Sequence, residues 1–309
     1  MQGLKVGHFT KEQHGTGVSV FLFDKPAVGA YVISGSGPAS HELAPLDPET
    51  SVSVLHGLML SGGSAFGLTA VRGVMRYLAE REIGLILPHG VVPIVPAAAI
   101  YDLAYKRAEA PNEHDAYQAC LAAIPNNYVS GRIGAGTGAT VGKIVPNAYH
   151  MTAGLGFASI SLPDGVEVSA YVVVNAIGDV RDECNRIIAG SKLPGGEFAD
   201  CTKLLLAGEG EQLIRRHEQQ RGNTTLAAVF TNAAFTKSEL KRIAKMAIAG
   251  LARAISPVFT CYDGDIAFAI SIGEKEASVL TIGVSAAEAI ARATREAVKA
   301  SEVIESPRA

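Results

Sequence analysis

Tryptophan is absent from the 309 residues, and charged side chains make up only 18% of them, against about 25% in an average globular chain. Neither sign of charge dominates. Twenty-seven Lys and Arg face 30 Asp and Glu, a net charge of −3, which excludes the electrostatic footprint of a nucleic-acid or anionic-membrane binder. The four cysteines, Cys120, Cys184, Cys201 and Cys261, show no CxxC or other metal-ligand spacing. They read as reduced, mostly buried thiols rather than a disulfide framework or zinc site. No uninterrupted apolar run spans a bilayer. Residues 83–101 contain Pro88, Pro93 and Pro96, and residues 51–71 contain Gly57, Gly62, Gly63 and Gly67, so neither makes a lipid-facing helix. The start, MQGLKVGHF, has no apolar signal region. These absences point to a soluble, cytoplasmic protein.

What the chain has is glycine, 33 residues, and a hydrophobic content of 48%. A chain of this length buries about 75% of its unfolded surface and needs no staples. Length divided by ~150 gives about two domains, and one large α/β unit fits equally well. Strand-like stretches rich in Val, Ile, Phe and Tyr fall at 18–23, 28–34, 166–175, 225–231, 265–272 and 278–284. Helices interleave. Residues 51–81 read as one or two, broken at Gly62-Gly63. Thr236-Lys-Ser-Glu239 is a capping box heading an apolar face of Leu240, Ile243, Ala247, Leu251 and Ile255, and Ser285-Ala-Ala-Glu288 repeats the signature before a final Ala-rich helix.

Three features bear on chemistry. The first is the Gly-rich segment from Gly131 to Lys143. It fails the Walker A pattern, with Thr137 where a glycine belongs and Ile144 after the lysine. Two readings stay open for it: a tight turn inside the core, and a loop that points Lys143 into an active site. The second is the histidines, among them His8, His56, His89 and His150, which form no HExxH or Cys/His cluster and read as structural. No GxSxG elbow is present, and Ser61-Gly-Gly-Ser64 reads as close backbone packing.

The third is a junction. A polar stretch, Gly208 to Gly222, reads as an exposed loop running straight into Asn223-Thr224 and a strand that looks buried. A threonine hydroxyl is a poor nucleophile unless a base lies beside it. A threonine at a new chain N-terminus carries that base as its own α-amine, whose reference pKa is ~7.7–8.0. Asp263-Gly264-Asp265, if extended, presents both carboxylates on one face, where they can orient such a hydroxyl and ammonium. Taken singly, a threonine at a strand start and an Asp-Gly-Asp turn are both common.

Together these residues resemble the self-processing N-terminal-nucleophile hydrolases that include L-aminopeptidase/D-esterase, the β-peptidyl aminopeptidases and the endo-type nylon-oligomer hydrolase. The resemblance covers essentially the whole chain, through Val6-Gly-His8, Leu60–Leu68, Val92–Ala98, Gly134–Lys143, Val174–Asp179 and Gly222–Thr225. It implies an α/β fold, a four-layer αββα sandwich shared with ornithine acetyltransferases. It also implies one domain, 1–309, that cuts itself into an α chain, 1–223, and a β chain, 224–309. By resemblance Asn223–Thr224 is the cleavage site and Thr224 the nucleophile. Asp263 and Asp265 orient Thr224, Lys143 and Asn175 line the site, Asn175 is an oxyanion donor, and Tyr101 is a neighbour placed by spacing.

The Asn-Thr junction and paired aspartates are closer to the nylon-oligomer hydrolase branch than to the aminopeptidases, which typically have Ser as nucleophile with Ser and Glu at the aspartate positions. The implied activity is hydrolysis of amide bonds in short oligoamides or peptides, with no cofactor and no metal. The partner is a small substrate, and the assembly a homo-oligomer, a tetramer of αβ units. β-Peptidyl or L-aminopeptidase/D-esterase activity, an acyltransferase of related fold, a nucleotide-binding protein using the Gly131–Lys143 loop and a non-catalytic oligomeric binding protein remain the alternatives.

Overall fold

The structure, a computed structural model, describes residues 1–107, 109–145, 150–193, 195–216 and 222–301. Its principal elements are β1 (Leu4–Lys11), β2 (Thr16–Ile33), β3 (Ala39–His41), β4 (Leu55–Ser61), α1 (Val71–Ala79), β5 (Ala97–Ala99), α2 (Glu113–Leu121), β6 (Leu155–Ser161), β7 (Glu167–Asn175), β8 (Thr224–Ala233), α3 (Lys237–Ala247), β9 (Ile266–Lys275) and α4 (Val279–Lys299). One hydrogen-bonded path runs β6-β7-β8-β9-β2-β4-β5-β3, with β1 pairing β2. The β8–β9 and β4–β5 neighbours are parallel; the other neighbours on the path are antiparallel.

The path folds into two leaves at β2. Residues 16–23 of β2 pair with β1 and β4, residues 28–33 pair with β9, and the register shifts between Leu22 and Ala27. The period-2 alternation of a strand then sorts its side chains between two layers. Val18, Val20 and Leu22 pack toward Val71, Val74 and Leu78 of α1 and Ala116, Ala119 and Cys120 of α2. Phe21 and Phe23 point the other way, into the space between the leaves. There the Phe21 ring lies 5.0 Å from Tyr171 on β7 and 5.1 Å from Phe230 on β8. Aromatic rings of this size carry a large share of the burial that holds two leaves together. On the far side α3 and α4 cover the second leaf. The layers are helix, leaf, leaf, helix: the αββα sandwich, with its two leaves joined through one 18-residue strand.

Several elements differ from the sequence reading. Residues 55–61, read as helix, are β4, buried along its whole length; a short apolar run buried on both faces has no periodicity to separate strand from helix. Residues 278–284, read as strand from their Val, Leu, Thr and Ile, open α4. Ser278 caps that helix by accepting from the Thr281 N–H at 3.1 Å, so the Ser285 box lies inside it. α3 has its capping box at Thr236 and Glu239 but ends at Ala247, and Ile255 belongs to a two-residue strand. Residues 209–216 of the polar stretch are helical, and 217–221 lie outside the described residues. Cys120 and Cys201 are buried, whereas Cys184 and Cys261 are exposed. Among the described residues, no helix is long and apolar enough to cross a membrane.

Candidate active site

The site forms where β7 and β8 end side by side. Their antiparallel register sets Asn175, the last residue of β7, opposite Thr224, the first of β8. The parallel β8–β9 pairing brings the segment before β9 to the same edge, and an isolated bridge joins Asn223 to Asp263. Lys143 reaches this edge because the backbone N–H groups of Gly142 and Lys143 bond the carbonyls of Gly178 and Ile177, beyond the end of β7. The Gly-rich segment is thereby a packed turn that also delivers a lysine. Its N–H groups are spent within the protein, Gly134 on Thr10 Oγ1 and Ala135 on Ser19 Oγ. Gly134 sits at φ +52°, and a Cβ there would meet Ser19 Oγ at 2.3 Å. No phosphate cradle is available in a loop whose donors are already used.

At the centre, the Thr224 hydroxyl donates to the Asn223 carbonyl oxygen at 2.5 Å, and the same oxygen accepts from the Gly264 N–H at 2.8 Å. Thr224, Asn223, Asn175, Asp263 and Asp265 are all buried. The Asn175 side chain spans three segments. Its Oδ1 accepts from Lys143 Nζ at 2.5 Å and from the Thr140 N–H, and its Nδ2 donates to the carbonyls of Tyr101 and Gly222. In the uncut chain Asn175 thus donates one residue upstream of the Asn223 carbonyl, and the donor on that carbonyl is the backbone of Gly264. Lys143 Nζ also approaches the Gly222 carbonyl at 3.5 Å.

The two aspartates hold separate backbone anchors. Asp265 Oδ1 accepts from the Thr225 N–H at 2.6 Å and Oδ2 from Phe259. Asp263 Oδ2 accepts from the N–H and hydroxyl of Thr260. Burial pushes both carboxyls above the usual carboxylate range, and for Asp265 the neighbouring Asp263 charge adds to the effect. Burial drives Lys143 the opposite way, down to about 7, against the pull of Asp263 and Asp102. Carboxyls shifted up beside an amine shifted down, in a cleft, make this a candidate site for proton chemistry.

Tyr101 flanks Gly222, whose position leaves no room for a side chain: a Cβ would lie 2.4 Å from the ring. A cavity of about 430 Å³ opens here, lined by Tyr101, Thr224 and Tyr262 along with Gly37, Ser64 and Cys261. Sequence reasoning missed Asp102 and Gly264. Asp102 is buried, accepts from the Gly63 N–H at 2.7 Å and is pushed up to about 6 by burial. Its signal is a lone acid closing a long uncharged run. Gly264 acts through its backbone, which leaves no mark in a side-chain pattern.

His8, His56 and His150 each have a partner of their own. His56 Nδ1 bonds the Ile94 N–H, His150 Nε2 faces the Val145 carbonyl, and His8 Nδ1 faces Ser19 Oγ. Burial pushes His8 and His150 down to about 4, so the folded state holds them neutral. Their contribution to stability is complete above the unfolded value of ~6.5 and is lost as pH falls to about 4. For His8 the shift corresponds to on the order of 3 kcal/mol. Denaturant midpoints should therefore fall between pH 6.5 and 4.5, with a shallower fall in His8→Gln; an equal slope in that variant would contradict the assignment. Among the described residues, no group of three or more His, Cys, Asp or Glu is arranged to hold a metal ion.

Comparison with known proteins fits this geometry. A family model described as peptidase family S58 matches residues 1–306. The chain is 34% identical to an uncharacterized aminopeptidase of Mycobacterium leprae, over 98% of this chain and 90% of that one. It is 31% identical to a 6-aminohexanoate-oligomer endohydrolase of a Kocuria species, over 81% of this chain and 69% of that one. Among solved structures, an L-aminopeptidase D-Ala-esterase/amidase from Ochrobactrum anthropi, a variant of the Ntn hydrolase fold, matches with a TM-score of 0.70 at 15% identity, over 98% of this chain and 85% of that one. At that identity the likeness is one of fold.

Proposed function

The chain belongs to peptidase family S58, a hydrolase of peptide or amide bonds, and we propose that it cuts its own Asn223–Thr224 bond and then hydrolyses short oligoamides or peptides through Thr224. The observation that carries this reading is the Thr224 hydroxyl held at 2.5 Å on the Asn223 carbonyl oxygen, with the Gly264 N–H on the same oxygen. Attack by Oγ forms a C–O bond and breaks the C–N bond to Thr224, whose nitrogen takes the proton and becomes the α-amine. Negative charge on the carbonyl oxygen develops against the Gly264 N–H, a fixed donor in a buried setting. Water then hydrolyses the ester and frees the Asn223 carboxylate, leaving residues 1–223 and 224–309.

In the mature protein the α-amine is the base for the adjacent hydroxyl. Asp263 and Asp265, anchored on Thr260 and Thr225, supply negative charge beside the resulting ammonium. Lys143 and Asn175 fix the segment before the reacting carbonyl. A substrate amide repeats the sequence: acyl transfer to Thr224, departure of the amine, hydrolysis by water. The test is to mix protein with excess oligoamide or peptide ester, quench in acid and weigh the fragments. The fragment 224–309 should gain the mass of one acyl group, lost again on chase. Acyl mass on residues 1–223, or turnover without an acyl form under burst conditions, would remove the mechanism.

A further inference from the structure

The chain contains a second kind of information about its substrate, and using it rests on the reading just given. One hydroxyl attacks both the Asn223 carbonyl and a substrate amide, so the residues before the self-cleaved bond stand where a substrate's acyl portion stands. Gly222 and Asn223 therefore outline the acyl-side subsite.

The Gly222 carbonyl is met by Asn175 Nδ2 at 3.2 Å and Lys143 Nζ at 3.5 Å, from residues that are 0% and 7% exposed. The Asn175 amide is fixed in this sense, because its Oδ1 already takes Lys143 and the Thr140 N–H. At the Gly222 position the Tyr101 ring fills the space of any side chain, a Cβ meeting its carbons at 2.4 Å. Asn223 is 3% exposed, and its Nδ2 donates to the Tyr262 carbonyl at 3.3 Å.

We infer that the mature site selects acyl donors carrying two carbonyls in α-peptide spacing, with a glycine-sized residue at the upstream one and a short amide side chain at the reacting one. Internal or N-blocked segments of the glycyl-asparaginyl type meet these demands. A free amino-terminal residue does not. It lacks the upstream carbonyl, so Asn175 Nδ2 and Lys143 Nζ lose the acceptor they share there, and it brings a second amine toward the buried Lys143 amine instead. Leaving buried donors unmatched is what discriminates most strongly between otherwise similar ligands.

The test compares three p-nitroanilides with the processed enzyme: acetyl-Gly-Asn, acetyl-Val-Asn and unblocked Asn. Expected is a kcat/KM for acetyl-Gly-Asn at least tenfold above each of the others. Equal or faster release from unblocked Asn, or no penalty for Val, overturns the inference; if Thr224 is acylated in those same reactions, the proposed function survives it. Failure of all three to release p-nitroaniline, with Thr224 unacylated in fully processed protein, overturns the proposed function and this inference together.

Discussion

Thr224→Ala should leave a chain that stays in one piece and turns over no amide. The hydroxyl makes the first new bond in either reaction, and water attacks only the ester it forms, so its removal takes away nucleophile and chemistry together. With the nucleophile absent, the remaining site offers donors and charges without an acceptor for the acyl group. The loss should be at least on the order of a thousandfold in both processing and turnover, judged from what single members of a concerted catalytic unit contribute. The β7–β8 register that holds the position is made by backbone, so the variant should keep its fold and its circular-dichroism spectrum. Thr224→Ser, which retains the hydroxyl, should recover both reactions. Processing of the alanine variant at the wild-type rate would show that another group attacks.

The second large effect is expected at a residue with no side chain. In Gly264→Ala the new Cβ would lie 2.6 Å from the Gly37 carbonyl oxygen and 2.8 Å from Thr224 Oγ1. The first contact is backbone and cannot yield cheaply, so the 263–265 segment must move. That segment provides the N–H on the Asn223 carbonyl oxygen and carries both aspartates. Loss of one well-placed oxyanion donor typically costs about 10²–10³ in rate, and displacing the aspartates adds to it. Fresh Gly264→Ala protein should therefore remain largely uncut over hours on a denaturing gel. Cleavage at the wild-type rate would show that the donor on this carbonyl is dispensable.

Much of this site is legible in the sequence because its parts are side chains at short spacing. Asp263 and Asp265 flank one glycine, and Asn223-Thr224 follows a polar stretch. Lys143 ends a segment whose glycines mark close approach. The structure brings these together with Asn175 and Tyr101 along the Gly222–Thr225 segment. What the sequence hides is the work of backbone. Gly264 donates through its N–H, and Asn175 turns out to hold the Gly222 carbonyl, a partner that depends on how Gly222 lies against Tyr101. Asp102 is hidden for a different reason: it bonds the turn at Gly62-Gly63, a contact across 39 residues of chain, and bears on the site through its charge on Lys143.

The fold divides in the same way. The strand composition of the two halves of β2 and the capping box of α3 follow from local rules. β4 and the start of α4 do not, because burial on both faces and a single serine cap outweigh the composition of those stretches.

The central claim is that one chain becomes two at Asn223–Thr224, and intact-mass measurement of freshly purified protein with N-terminal sequencing tests it most directly. The account predicts two polypeptides, residues 1–223 and a second that begins Thr-Thr-Leu-Ala-Ala, with amide hydrolysis rising as the intact chain disappears. A single uncut chain of 309 residues that hydrolyses amides at full rate would contradict it.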